Sequence, residues 1–169
     1  ISLMQPGFPY DVDSEIRTSP VIVDFNSDGS NDVIFGDNNG YLHIVDSNGN
    51  PILEDFFPFD TGNQIWGSPA AGYIDEDENI DIAVTSKSKY LYVLDQYGLK
   101  NSFNANQFLI GTPALGNLDE DEDLEIVFGG YSTQAKIFAI NVDGSSVDGF
   151  PVTIGEKMQK GFALYDFNE

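Results

Sequence analysis

The sequence predicts an all-β chain assembled from repeated antiparallel four-stranded units, and three observations carry that prediction. The chain aligns with itself at a spacing of about 47 residues; short β-forming runs recur four to a repeat; and one nine-residue acidic stretch recurs in register after the first run of each. No window shows a convincing helical stripe.

The repeat rests on two markers. "TSPVIVDFNSDGSNDVIFG" aligns with "GSPAAGYIDEDENIDIAVT" and "GTPALGNLDEDEDLEIVFG", and "KGFALYDFNE" begins a fourth copy. Pro20, Pro69 and Pro113 are 49 and 44 residues apart, and Phe162 follows 49 later. In parallel run "GFP" at 7–9, "FFP" at 56–58, a degenerate "SFN" at 102–104 and "GFP" at 149–151. Residues 1–169 therefore read as one segment, with repeats at approximately 14–60, 61–106 and 107–153 and the start of a fourth at 154–169.

Within the first repeat the strands are "PVIVDF", "DVIFGD", "YLHIVDS" and a looser one around "FFPFD". The third sets Tyr41, His43 and Val45 against Leu42, Ile44 and Asp46 and ends in "DSNGN", an Asn-Gly hairpin turn. "YLYVLDQYG" and "AKIFAINVDG" are its counterparts. The first strands of repeats two and three, "PAAG" and "PALG", are built of small residues, which suits an innermost strand where units converge and side-chain room is least. Four strands every 40 to 50 residues is the pattern of a β-propeller blade, so about three and a half blades of a larger propeller are expected.

At 169 residues, 41% hydrophobic and 13% aromatic, the chain can bury a full core and is no disordered acidic tail. Its net charge of −21 is local: 16 of the 28 acidic residues lie in the three nine-residue stretches and in the terminal "DFNE". Such a surface repels nucleic acid and anionic lipid and attracts divalent cations. There is no cysteine, hence no disulfide or thiolate site, and no apolar run approaches the roughly 18 residues of a bilayer span. The chain opens on Ile1 without a basic-then-apolar leader and ends inside the repeat pattern, so the expectation is a piece of a longer protein.

The acidic stretches carry the chemistry. In "DFNSDGSND" oxygen-bearing side chains fall at alternate positions, Asp24, Asn26, Asp28, Ser30 and Asp32. Oxygens at positions 1, 3 and 5, a backbone carbonyl at 7 and a carboxylate at 9 suit a hard cation that takes six to eight oxygen ligands, and Ca²⁺ fits better than the stricter Mg²⁺. Zinc's sulfur and imidazole ligands are missing, the single His43 lying in a strand. An EF-hand would need a glutamate at position 12, where this chain has Phe35, Val84 or Phe128 within a β run.

These repeats resemble the FG-GAP, or VCBS-type, repeats of integrin α-chain-like propellers. The likeness rests on the Ser-Pro or Thr-Pro lead-in, the D-x-N-x-D-G-x-x-D loop, the "FG" ending the second strand (Phe35-Gly36, Phe128-Gly129) and the "GFP" that ends a blade. It implies calcium in the loops at one face, in a secreted or cell-surface protein. Carried over by position, site one is Asp24, Asn26, Asp28, Ser30 by its backbone, and Asp32. Site two is Asp75, Asp77, Asn79 by its backbone, and Asp81, with Tyr73 in place of the first ligand. Site three is Asn117, Asp119, Asp121, Asp123 by its backbone, and Glu125. The glycine of position 6 is replaced by Glu78 and Glu122 in the later sites, and a fourth site starts at Asp166 and Asn168.

Trp66, in "QIWGSP", and its counterparts Arg17, Ile110 and Gln159 precede the innermost strands. They are expected at the mouth opposite the acidic loops, where Arg17 and Trp66 are candidate ligand residues. The function expected is a calcium-stabilised binding or adhesion scaffold for an extracellular protein or glycan. No Ser-His-Asp or phosphate-cradling arrangement is present, and the regular repetition of pairs such as Asp75 and Asp77 argues for metal over glycosidase acids. Two alternatives stand beside this reading: part of a calcium-dependent, lyase-like polysaccharide-degrading propeller, and a purely structural spacer.

Overall fold

A computed structural model describes residues 4–119 and 121–165, and its regular structure is all β. The first repeat folds into β1 (Val21–Val23), β2 (Asp32–Gly36), β3 (Tyr41–Val45) and β4 (Phe59–Asp60), antiparallel neighbours in chain order. The second gives β5 (Ala70–Gly72), β6 (Asp81–Thr85), β7 (Tyr90–Asp95) and β8 (Gly98–Asn104). The third gives β10 (Ala114–Gly116), β11 (Glu125–Tyr131), β12 (Lys136–Ile140) and β13 (Val152–Thr153), with β9 (Phe108–Leu109) pairing the far end of β11. The start of a fourth acidic loop at Asp166 and Asn168 lies outside the described residues.

Register repeats with the sequence: Val21 faces Ile34, Ala70 faces Ala83 and Ala114 faces Val127. Each acidic stretch thus closes the same β–β connection, and its ninth residue, Asp32, Asp81 or Glu125, is the first residue of the second strand. In the outer strands the repeats differ. Pro58 and Pro151 precede the two-residue β4 and β13, since proline has no N–H for the ladder. Asn104 replaces that proline in the second repeat, and β8 there runs seven residues, from Gly98 to Asn104, all but Lys100 pairing with β7.

The core lies between sheets. Phe25, Ile34 and Leu42 of the first repeat pack with Ile65, Ile82 and Leu94 of the second, and Ala83, Leu91 and Val93 of the second with Ile126, Phe128 and Phe138 of the third. The short strands β1, β5 and β10 stand side by side, β5 between the other two. The small residues act there: a Cβ on Gly72 of β5 would meet the Leu115 side chain of β10 at 3.2 Å. The Ser/Thr-Pro lead-ins form a hydroxyl ladder. Ser19 N–H donates to Ser68 Oγ (2.8 Å), and Ser68 N–H donates to Thr112 Oγ1 (3.0 Å), each one repeat further on.

Candidate metal centre

A single device is built three times at the base of the acidic loops. The N–H of Phe25, Ile74 or Leu118 donates to one carboxylate oxygen of the residue seven further on, Asp32, Asp81 or Glu125. All three carboxylates are fully buried, and the second oxygen of each, Asp32 Oδ1, Asp81 Oδ1 and Glu125 Oε1, accepts no hydrogen bond. A buried acceptor left unsatisfied costs on the order of 1–3 kcal/mol, and more when it is charged. Three copies in register define a place prepared for something not made of this backbone.

The loops above these carboxylates differ. In the third, Asp119, Asp121 and Glu125 bring carboxylate oxygens within 4.8 Å of one another. The loop is held open by Asp121 N–H on Asp119 Oδ1 (3.1 Å), Asp123 N–H on Asp121 Oδ1 (3.0 Å) and Asn117 Nδ2 on the Asp121 carbonyl. Burial pushes the Glu125 carboxyl upward, and the like charges of Asp119 and Asp121 add to it.

The first loop has the fullest ligand sequence, yet its carboxylates are less gathered: Asp24, Asp28 and Asp32 form no cluster of the kind found in the other two loops. The two oxygens of Asp24 accept Asp28 N–H (3.0 Å) and Gly29 N–H (2.9 Å). Asn26 Nδ2 donates to Asp28 Oδ2 (3.1 Å), and Ser30 N–H donates to Asp28 Oδ1 (2.8 Å). Burial raises the Asp32 carboxyl here too, with Asp28 and Asp24 adding to it. Both loops fit a hard divalent cation by donor chemistry, all of it oxygen, and by the orphaned oxygen beneath.

The second loop holds a cation of its own. Asp75, Asp77 and Asp81 converge within 4.8 Å, and Lys100 of β8 reaches into them. Its Nζ lies 2.7 Å from Asp75 Oδ2, 2.8 Å from Asp77 Oδ2 and 3.0 Å from Asp81 Oδ1, the last an ion-pair contact without hydrogen-bond alignment. Gln96 Nε2 secures Asn79 through its Oδ1 (2.8 Å), and Tyr73, at the first ligand position, is 61% exposed. Burial pulls the Lys100 ammonium toward losing its proton, but its three carboxylate partners outweigh that and leave it more basic than usual. No sequence pattern marks Lys100, because its place depends on how far β8 pairs with β7.

At the opposite end of β5, Arg17 and Trp66 meet: the guanidinium carbon lies 4.8 Å from the ring centroid. Lys87, in the β6–β7 turn, joins them with Nζ 4.1 Å from the same centroid, and Trp66 Nε1 donates to Asn38 Oδ1 (2.9 Å). Arg17 Nη2 also donates to Glu15 Oε2 (3.0 Å) and Lys87 Nζ to Gln64 Oε1, so the two cations over the indole already have partners and the ring is not an open stacking surface. Of the other counterparts, Ile110 is buried and Gln159 is exposed. His43 is a strand residue that stacks on Phe35 (5.1 Å) and meets Asp37 Oδ2 (3.2 Å).

No family model matches the chain, and no curated protein matches it in sequence. Solved structures share its fold. BBS1N, crystallised in complex with ARL6DN and soaked with lead, aligns with a TM-score of 0.60 at 14% identity, over 87% of this chain and 43% of that one. The mercury-soaked crystal of the same complex gives 0.55 at 16% identity, over 86% and 47%. The chain thus spans less than half the length of BBS1N. With its antiparallel four- and five-stranded sheets, the protein has a β-propeller-like fold.

Proposed function

We propose that this chain is a calcium-stabilised arc of an FG-GAP-like β-propeller, acting as a binding scaffold within a secreted or cell-surface protein. The observation that carries the reading is the orphaned oxygen on Glu125 and on Asp32, each fully buried under an oxygen-rich loop. A calcium ion supplies two positive charges and accepts six to eight oxygens. Asn117, Asp119, Asp121, the Asp123 carbonyl and Glu125 would hold one ion; Asp24, Asn26, Asp28, the Ser30 carbonyl and Asp32 would hold another. Loops of this kind suit the roughly 10⁻⁴–10⁻³ M affinities of extracellular modules, which matches a protein bathed in millimolar calcium.

The binding role is assigned to the far mouth. Arg17 offers a forked donor whose carboxylate partner within the chain, the exposed Glu15, a partner's carboxylate would have to replace or join; Lys87 adds a second charge and Trp66 an apolar anchor between them. In a chain of charge −21 this local pairing of cations selects a protein partner with an acidic side chain over a glycan, which would need the indole face free. BBS1N was crystallised with a protein partner, ARL6DN, and that is the partner class favoured here.

Calcium at 100-fold its Kd would add about 2.7 kcal/mol per site. For a chain of this size that is a rise in melting midpoint of roughly 5–10 °C per site. Melting in EGTA and in calcium at 100 times the measured Kd is the test, with Glu125→Gln expected to lose one site's increment. Superimposable curves for the wild type would end the calcium reading. Binding of acidic peptides that Arg17→Ala/Trp66→Ala leaves unchanged would end the assignment of the mouth.

A further inference from the structure

We infer that the second acidic loop is closed by Lys100 in place of a metal ion, so that the middle sheet carries its own cation and does not take up calcium. The inference rests on the calcium reading of the first and third loops and extends it to a loop whose sequence pattern alone would be read the same way.

Lys100 donates hydrogen bonds to Asp75 (2.7 Å) and Asp77 (2.8 Å) and stands in ion-pair contact with Asp81 (3.0 Å). The oxygen of Asp81 within its reach is the counterpart of the orphaned oxygens of Asp32 and Glu125. Among the described residues, neither of those two has a cationic side chain within ion-pair distance. What a divalent ion is needed for elsewhere, a side chain does here.

The backbone explains why only this repeat has such a residue. Two positions after the hairpin glycines Gly49, Gly98 and Gly144 stand Pro51, Lys100 and Ser146. Proline and serine bring no charge. In the second repeat Asn104 stands where the others have proline, β8 extends along β7, and the register shift at Val93/Leu94 leaves Lys100 itself outside the ladder, between the paired Leu99 and Asn101. The Lys100 stem is largely covered, its side chain 19% exposed, so the ammonium is placed by the strand and does not sample solvent freely. Tyr73 completes the argument from the other side: the first-position side chain that Asp24 and Asn117 supply to the other two loops, a carboxylate or an amide, is replaced here by an exposed tyrosine.

Calcium in this loop would have to displace an ammonium from three carboxylates and then tolerate it nearby. The consequence is a division of labour. Loss of calcium would loosen the first and third loops and leave the middle one closed.

The test compares calcium stoichiometry, by equilibrium dialysis, with melting in EGTA. In the wild-type background Asp77→Asn should leave the number of bound ions unchanged, while Asp121→Asn should remove one. Lys100→Met should bind one ion more than the wild type, and Lys160→Met, at an exposed lysine, should not. Loss of an ion on Asp77→Asn, or equal stoichiometry for Lys100→Met and a calcium-binding wild type, overturns the inference. If no variant binds calcium, the proposed function falls, and the EGTA arm decides this inference separately. Asp77→Asn should lower the melting midpoint of the wild type but raise that of Lys100→Met, where it relieves unneutralised repulsion. A shift in the same direction in both backgrounds overturns it.

Discussion

Asp77 and Asp81 share one ammonium and are pulled in opposite directions. Hydrogen bonding from Lys100 is the largest influence on Asp77, lowering its carboxyl to about 2. At Asp81 burial dominates, raising the carboxyl to about 6 against the pull of Lys100. Asp32 and Glu125, without a cation, are also raised, burial leading. An aspartate in the unfolded chain titrates near 3.8. Between that value and about 6 the folded, metal-free protein therefore keeps a proton at Asp81 that the unfolded chain has released. Its contribution is complete below this window and is lost as the pH rises through it. Asp77 works in reverse: its contribution is present above 3.8 and is lost as the pH falls toward about 2. At Asp32 and Glu125, the carboxylates of the two loops proposed to take calcium, a bound ion would act in the opposite sense, because a coordinating carboxylate must be ionised. In EGTA the melting midpoint is expected to fall across the upper window, with a shallower fall in Asp81→Asn, while the increment due to calcium grows. An EGTA midpoint that rises steadily there would contradict burial as the dominant influence.

At the scale of elements, the sheets are joined by more than apolar packing. The ladder from Ser19 to Ser68 to Thr112 ties each lead-in to the next, so a Ser/Thr-Pro that reads as a strand-start marker is also an inter-sheet hydrogen bond. One repeat beyond Thr112 the chain has Gly161, which offers no hydroxyl but lets the backbone pass close: a Cβ there would stand 2.9 Å from the Thr112 side chain. Thr112→Val keeps the shape and removes the acceptor for the Ser68 N–H. It is expected to cost about 0.5–1.5 kcal/mol, the usual net worth of such a bond, with Thr112→Ser recovering most of it. Chemical denaturation of the two variants provides the check. Equal stability of Thr112→Val and the wild type would reduce the ladder to a by-product of packing.

For the molecule as a whole, three sheets in a row leave surfaces that a closed ring would cover. The accessible surface is 9180 Å², against roughly 8200 Å² for a compact monomer of this mass. Ile22, on the innermost β1, is 56% exposed. A propeller closes with typically four to eight blades. These 169 residues in isolation are therefore expected to scatter X-rays as an open arc, with a radius of gyration above the roughly 15 Å of a compact chain of the same length. A compact profile at that value, from a monodisperse monomer, would rule the arc out.

The sequence by itself determined the repeat, the order of strands within it and the position of the three described acidic loops. Those features are local: β-forming runs, Asn-Gly turns and small inner-strand residues act within a few positions of one another, and the period copies them. The alternating oxygens and Tyr73 were legible for the same reason, whereas the left-handed turn at position 6, which Gly29 makes at φ +90° and Glu78 at +64°, belongs to the folded loops and is not shared by Glu122. The pairing of Arg17 with Trp66 was legible through the repeat, equivalent positions in successive blades being neighbours. Tertiary structure alone decided the rest, because it depends on how far strands pair and how sheets stack. It added β9 to the end of β11, brought Lys87 over Trp66, and left the carboxylates of the best-matched loop less gathered than those of the third. It also carried Lys100 into the second loop, 25 residues along the chain from Asp75 but 2.7 Å from its oxygen. Contacts across that separation leave no periodic trace in a sequence; they exist only once the hairpin of β7 and β8 has set its register.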